Sequence, residues 1–212
     1  MSDTSMTVKA RSGKGGAAAA SAQAVPKPRG RPRSDLATTA VLEAAYRLSA
    51  EKGLRGATMQ AIATASGVSK MTVYKWWPSR LQLLIDAYMR QATALLPISE
   101  TAPAAEAIHA HAQQYLVALR GDLGRVQLAV LAECLTETGN ADLFVERYLS
   151  ARRKLGVRVI RRGQRTGSIA STRPAEALYD QIYGTMFYRF QFGLATLHKA
   201  FVRSLIDATF AG

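Results

Sequence analysis

The chain has 212 residues, of which 48% are hydrophobic and 20% charged, enough apolar material to enclose a core and too much for a chain disordered throughout. Lysine and arginine number 28 against 15 acids, a formal charge of +13 that suits a polyanionic partner such as nucleic acid. No apolar run approaches the roughly eighteen residues of a membrane span and no apolar signal segment opens the chain, so a cytoplasmic protein is expected.

The first segment, residues 1–33, carries seven basic residues and one acid among Ala, Gly, Ser and Pro without periodicity. Such a segment buries too little surface to offset chain entropy and is expected to be disordered alone. Within it Pro28-Arg29-Gly30-Arg31-Pro32 resembles an AT-hook, in which extended arginines, here Arg29 and Arg31, straddle a small residue and enter a narrow minor groove. A nonspecific phosphate tether accounts for the same residues, and both readings stand.

From residue 34 onward the chain reads as helix. Ser34 or Asp35 can cap a first helix whose Val41, Ala44, Ala45 and Leu48 form one stripe, ending near Lys52 before Gly53. Residues 58–80, TMQAIATASGVSKMTVYKWWPSR, then predict two short helices meeting at a glycine turn. Thr58 caps the first, Met59 and Ile62 line its inner side, and Gly67 supplies the left-handed position that ends it. Ser69 caps the second, where Val73 and Trp77 share one face and Met71, Thr72, Tyr74 and Lys75 fan over the other. Ala61, Ala63 and Ala65 leave room for a steep crossing. Ser79 caps a fourth helix to about Leu96, with Leu81, Leu84, Ile85 and Tyr88 at helical spacing and Pro97 beyond it.

A helix-turn-helix pair is also an ordinary packing unit. Here Lys70, Lys75 and Arg80 cluster where no acid occurs from residue 52 to 85, which favours a phosphate-facing patch. The pattern T-M-x-x-I-A-x-x-x-G-V-S-K-x-T-V-Y-x-x-W-P-S-R resembles the DNA-binding domain of the tetracycline-repressor (TetR) family of bacterial regulators, specifically over residues 36–90. That resemblance implies phosphate contacts from Thr58, Ser69 and the Tyr74 hydroxyl, and a basic anchor at Arg80, where relatives usually carry lysine. It implies also that Lys70, Met71, Thr72 and Lys75 face bases or adjoining phosphates. Met71 departs from the glycine or alanine of many relatives and can press on a thymine methyl or tighten the fit against sugar. Trp77 matches the family's core aromatic, whereas Trp76 stands at a position often polar.

Residues 103–210 contain helical-period segments and no strand signal, with helices expected near 103–120, 123–137, 141–165, 174–194 and 198–210. Asn140 can cap the third, Gly167 lies near its end, and Pro174 fits a first helical turn. The penultimate segment is apolar nearly all round, unlike an amphipathic surface helix. With Tyr179, Ile182, Phe190, Phe201 and Leu205 it is expected to build a four-helix homodimer interface, the alternative being a central helix enclosed in a monomer. Tyr115, Cys134, Tyr148, Tyr183, Met186 and Phe187 are candidates for an effector pocket, though each also reads as plain core. Few charges interrupt these faces, so any effector is expected to be largely apolar or aromatic.

His109 and His111 lie two apart on different helical faces, poor geometry for one metal, and read as solvated. A single cysteine, Cys134, excludes an internal disulfide and weighs against a thiolate-ligated metal, and no basic residue within one turn would activate it. No phosphate-binding glycine loop, nucleophile elbow or paired-cysteine motif appears, so neither a cofactor, a metal nor an enzyme is expected. The expected architecture is all-α, about nine helices: a basic arm (1–33), a three-helix DNA-binding domain with the helix-turn-helix (34–80) and a larger helical effector-binding and dimerisation domain (81–212). The expected function is a dimeric, sequence-specific DNA-binding regulator, a repressor of a pseudo-palindromic operator released by a small molecule. The rival is an architectural or nonspecific DNA-binding protein with no effector.

Overall fold

The computed structural model describes residues 35–194 and 197–211, and the described residues are helices joined by turns, with no strand among them. α1 (Asp35–Gly56) buries Val41, Ala44, Ala45 and Leu48 along the expected stripe. Gly53, at φ 68° and ψ 173°, breaks its regular path just after Lys52. α2 (Met59–Ser66) ends at Gly67, whose φ of 68° and ψ of 13° lie in the left-handed region. A side chain there would strain the turn into α3 (Lys70–Trp76), which is why the turn needs glycine. α4 (Arg80–Leu95) starts where the Ser79 hydroxyl accepts from the Gln82 amide at 3.2 Å.

The remaining helices are α5 (Ala104–Leu119), α6 (Asp122–Thr138), α7 (Asp142–Phe144), α8 (Ser150–Thr166), α9 (Ala175–Gln191) and α10 (Lys199–Ala211). Asn140 Oδ1 accepts from the Asp142 amide at 2.9 Å, as its predicted capping role requires. The single rod expected over 141–165 instead passes from α7 to α8 through a π-helical turn, Val145–Leu149. There the Ser150 amide reaches back to the Val145 carbonyl, five residues away, a local widening that apolar periodicity does not encode. Counted with that rod as one element, the described residues hold nine helices.

α1 packs on α2, α4 and α6, and α4 packs on α6 and the π turn. α8 lies against both α5 and α9, and α10 closes on α5 and α9. Ile108, Leu116, Ile160, Leu178 and Ile182 are fully enclosed, each such side chain contributing about 1.5–3 kcal/mol of burial. The α8–α9 approach depends on Gly156, where a Cβ would stand 2.3 Å from a Tyr179 ring carbon. No helix among the described residues is long and apolar enough to cross a membrane.

Candidate nucleic-acid interface and cavity

The reading surface starts from two caps. Thr58 Oγ1 accepts from the Ala61 amide at 3.1 Å, and Ser69 Oγ accepts from the Thr72 amide at 3.2 Å. A hydroxyl–hydroxyl bond of 2.8 Å also joins Ser69 to Thr72, so the residue expected to face bases is oriented by the residue expected to hold phosphate. Val73 and Trp77 turn inward, 0% and 3% exposed, into the core that includes Met59, Ile62 and Ala63. Outward stand Met71, 80% exposed, with Lys70, Tyr74 and Lys75, while Thr72 is half-buried. Lys70 Nζ sits 5.9 Å from the Tyr74 ring centroid, a weak attraction that keeps charge near the phenol. Trp76 is half-buried with its ring edge-on to Trp77 at 5.9 Å, so packing accounts for part of it.

Arg80 departs from its expected place. Its guanidinium donates to the Leu54 carbonyl at 2.8 Å and pairs with Glu133 of α6. A cation engaged by that carboxylate, with Glu137 at 3.8 Å as a second acid, braces α4 against α6. Burial, the larger influence, lifts the Glu133 carboxyl above its ordinary pKa against the opposing pull of Arg80. Arg29 and Arg31 lie outside the described residues.

The reading head is tied to the larger body through Asp86 on α4. Trp77 Nε1 donates to Asp86 Oδ2 at 2.9 Å, and Arg147 Nη1, from the π turn, reaches both carboxylate oxygens at 2.7 Å. Sequence periodicity carried no sign of this link, because its partners are 61 positions apart.

Behind the π turn is a cavity of about 470 Å³. Tyr115, Tyr148, Tyr183 and Phe187 line it, as expected, and are joined by His111, Gln127, Arg152 and Tyr179. Cys134 and Met186 do not. Both are fully buried, and Cys134 donates instead to the Asn140 carbonyl at 3.5 Å, at the end of its own helix. His111, expected to be solvated, is 4% exposed, whereas His109 pairs at the surface with Asp207 at 2.9 Å.

Arg152 Nη2 donates to His111 Nε2 at 2.7 Å and to the Leu96 carbonyl at 2.6 Å. Because a guanidinium only donates, Nε2 must accept and the imidazole proton sits on Nδ1. Nδ1 then donates to the Tyr183 hydroxyl oxygen at 2.7 Å. Burial and the Arg152 charge hold His111 down at about 3, so it is neutral. Burial pushes the Tyr115, Tyr148, Tyr179 and Tyr183 phenols above their ordinary value, leaving all four as neutral hydrogen-bonding groups. Tyr88 and Tyr115 both donate to Gln127 Oε1, at 2.8 and 3.3 Å.

Two residues expected at a dimer interface lie inside the protomer. Ile182 is fully buried, and Tyr179 is 6% exposed with its ring 4.4 Å from that of Tyr183. Their face of α9 is consumed by α8 and α5, so it has no surface left for a second chain. An uncovered apolar surface lies at the far end of α9, where Tyr188 and Phe192 are 58% and 63% exposed and Leu194 follows. Phe190, Phe201 and Leu205 are half-buried beside it.

Two family models match the chain: "Bacterial regulatory proteins, tetR family" over residues 41–87 and "Tetracyclin repressor-like, C-terminal domain" over residues 98–209. The chain is 30% identical to the HTH-type transcriptional regulator YdeS of Bacillus subtilis (strain 168), across 87% of this chain and 93% of that one. It is 25% identical to the HTH-type transcriptional regulator Rv1556 of Mycobacterium tuberculosis, across 71% and 74% of the two. Among solved structures it resembles TetR family transcription regulator SCO0332, with a TM-score of 0.74 and 26% identity over 84% of this chain and 99% of that one. The fold recurs in the regulator FadR from Bacillus subtilis, solved with stearoyl-CoA, at a TM-score of 0.59 and 19% identity over 82% and 98% of the chains.

Proposed function

The chain belongs to the TetR family of bacterial regulatory proteins, DNA-binding transcriptional regulators, and from that premise we propose that it is a homodimeric repressor of a pseudo-palindromic operator. Residues 34–80 read the DNA and residues 81–212 sense an effector and dimerise. Thr58, Ser69 and Tyr74 hold backbone phosphates, Lys70 and Lys75 supply charge, and Met71 and Thr72 meet base edges. The basic arm, with Arg29 and Arg31, adds contacts along the same duplex. It acts in the cytoplasm.

The observation that carries this reading is the division of α3 into a packed face and an acid-free outer face on which Met71 is 80% exposed. A symmetric operator requires two such heads, and exposed Tyr188, Phe192 and Leu194 offer the surface for pairing. Release follows from the cavity, since Tyr148 and Leu149 line it while Arg147, on the same π turn, holds Asp86 beneath the reading head. A ligand that prefers another arrangement of that turn shifts the equilibrium away from the DNA-compatible one. A cavity with this connection is what an architectural DNA-binding protein would not need.

Selecting bound sites from random DNA tests the proposal. Two half-sites related by a two-fold, about one helical turn apart, are the expected product. Recovery indifferent to sequence would sink it.

A further inference from the structure

The cavity is walled largely by aromatic and apolar side chains, with neutral His111 and Gln127 among them, and Arg152 enters it at 8% exposure. Arg153 lines the same cavity, yet it is held bidentate by Asp180, at 2.8 and 2.6 Å, and their charges cancel. Arg152 has no such partner. Among the described residues no ion pair includes it, and its contacts are the Leu96 carbonyl, neutral His111 and the Tyr148 hydroxyl. A buried cation bonded only to neutral groups carries an uncompensated desolvation cost, and with Nη2 spent on Leu96 and His111 the N–H donors left over can turn to a carboxylate.

The surrounding protons are arranged toward the same end. Nδ1 of His111 donates to the Tyr183 oxygen, which leaves the Tyr183 hydroxyl proton free of that bond and available to a ligand oxygen. One net positive charge, neutral phenols and an apolar remainder describe a site for a monoanion with a hydrophobic body. A phosphate dianion would need more cations than the cavity supplies.

We propose that the effector is a monocarboxylate with an apolar or aromatic body, its carboxylate paired with Arg152 and its body against Tyr115, Tyr148, Tyr179 and Phe187. This rests on reading the cavity as the effector site and adds one charge to the largely apolar or aromatic effector expected from the sequence. The same Nη2 bonds the carbonyl of Leu96, the residue that caps α4. A carboxylate that draws the guanidinium away therefore loosens the C-terminal end of the helix beneath the reading head.

The test is a calorimetric titration of the full chain with matched acid–amide pairs: octanoate and octanamide, 4-phenylbutanoate and 4-phenylbutanamide, 2-naphthoate and 2-naphthamide. At least one acid is expected to bind about tenfold or more tightly than its amide. In Arg152→Gln that preference disappears while the amide's affinity is retained, and Arg152→Lys restores part of it. If Arg152→Gln does not fold, the acid–amide ratio of the natural chain decides by itself. Acid and amide binding equally, or an acid preference that survives in Arg152→Gln, overturns the carboxylate assignment and leaves the cavity as an effector site. A panel silent in both forms overturns that reading as well.

Discussion

The indole N–H of Trp77, at the end of the recognition helix, donates to Asp86 Oδ2 at 2.9 Å while Arg147 grips the same carboxylate from the π turn. One carboxylate thus joins the core aromatic of the reader to the wall of the cavity. Asp86 and Arg147 side chains are 20% and 31% exposed, so solvent screens the pair only in part.

Asp86→Ala removes an acceptor from Trp77 and the counter-charge from Arg147, and is expected to cost about 1–3 kcal/mol in urea unfolding. A double-mutant cycle with Arg147→Ala should return a coupling of about 0.5–3 kcal/mol. Strict additivity would mean that the carboxylate does not transmit between the two bodies.

Thr72→Ala and Lys75→Ala are expected to weaken a selected operator by about 1–3 kcal/mol with helicity unchanged. The two differ in character. Loss of Thr72 removes the hydroxyl that Ser69 orients toward the bases, so it should relax base preference, whereas loss of Lys75 should weaken all sequences alike. Unchanged affinity in competition binding would remove these residues from the interface.

Deleting residues 1–33 removes seven basic residues. Plotted as log affinity against log salt, the slope should become shallower by about 0.9 for every phosphate the arm neutralises. An unaltered slope would show that the arm touches no phosphate.

His111 is buried neutral with its pKa held at about 3, against an ordinary 6.5. The unfolded chain takes up this proton first, so the stability that depends on neutral His111 is complete above pH 6.5 and is lost as pH falls toward 3. Between about pH 6 and pH 4.5 the unfolding free energy measured in urea should therefore drop, by at most about 1.4 kcal/mol per pH unit from this group. His111→Gln keeps an acceptor for Arg152 and should flatten the drop. A parallel pH profile in that variant would place the titration elsewhere.

Tyr188 and Phe192 stand on the uncovered end of α9 with ring centroids 5.1 Å apart. Light scattering of the natural chain at about 10 μM should report a dimer, and Phe192→Glu should shift it toward monomer. A monomer at that concentration would remove the interface.

The parts of this protein written in its sequence are those whose physics is local. The α1 stripe, the caps at Thr58, Ser69 and Ser79, the left-handed Gly67 and the outward fan of Met71, Tyr74 and Lys75 each depend on neighbours within a turn or two. Periodicity and capping chemistry therefore located them. The expectations that changed depended on distant partners. Arg80 turned to Glu133 on another helix, Tyr179 and Ile182 turned into their own protomer, and Cys134 and Met186 stayed behind the cavity wall.

Arg152 is the sharpest case. It is one of seven basic residues on α8, a helix that by composition reads as a solvated charged face, and its burial depends on His111, 41 positions away, and on the Leu96 carbonyl, 56 away. Local spacing determined that a helix-turn-helix reader would form and which face it would show. Only tertiary packing decided which charge enters the cavity, because the burial of a charge is set by what folds over it, and that lies far along the chain.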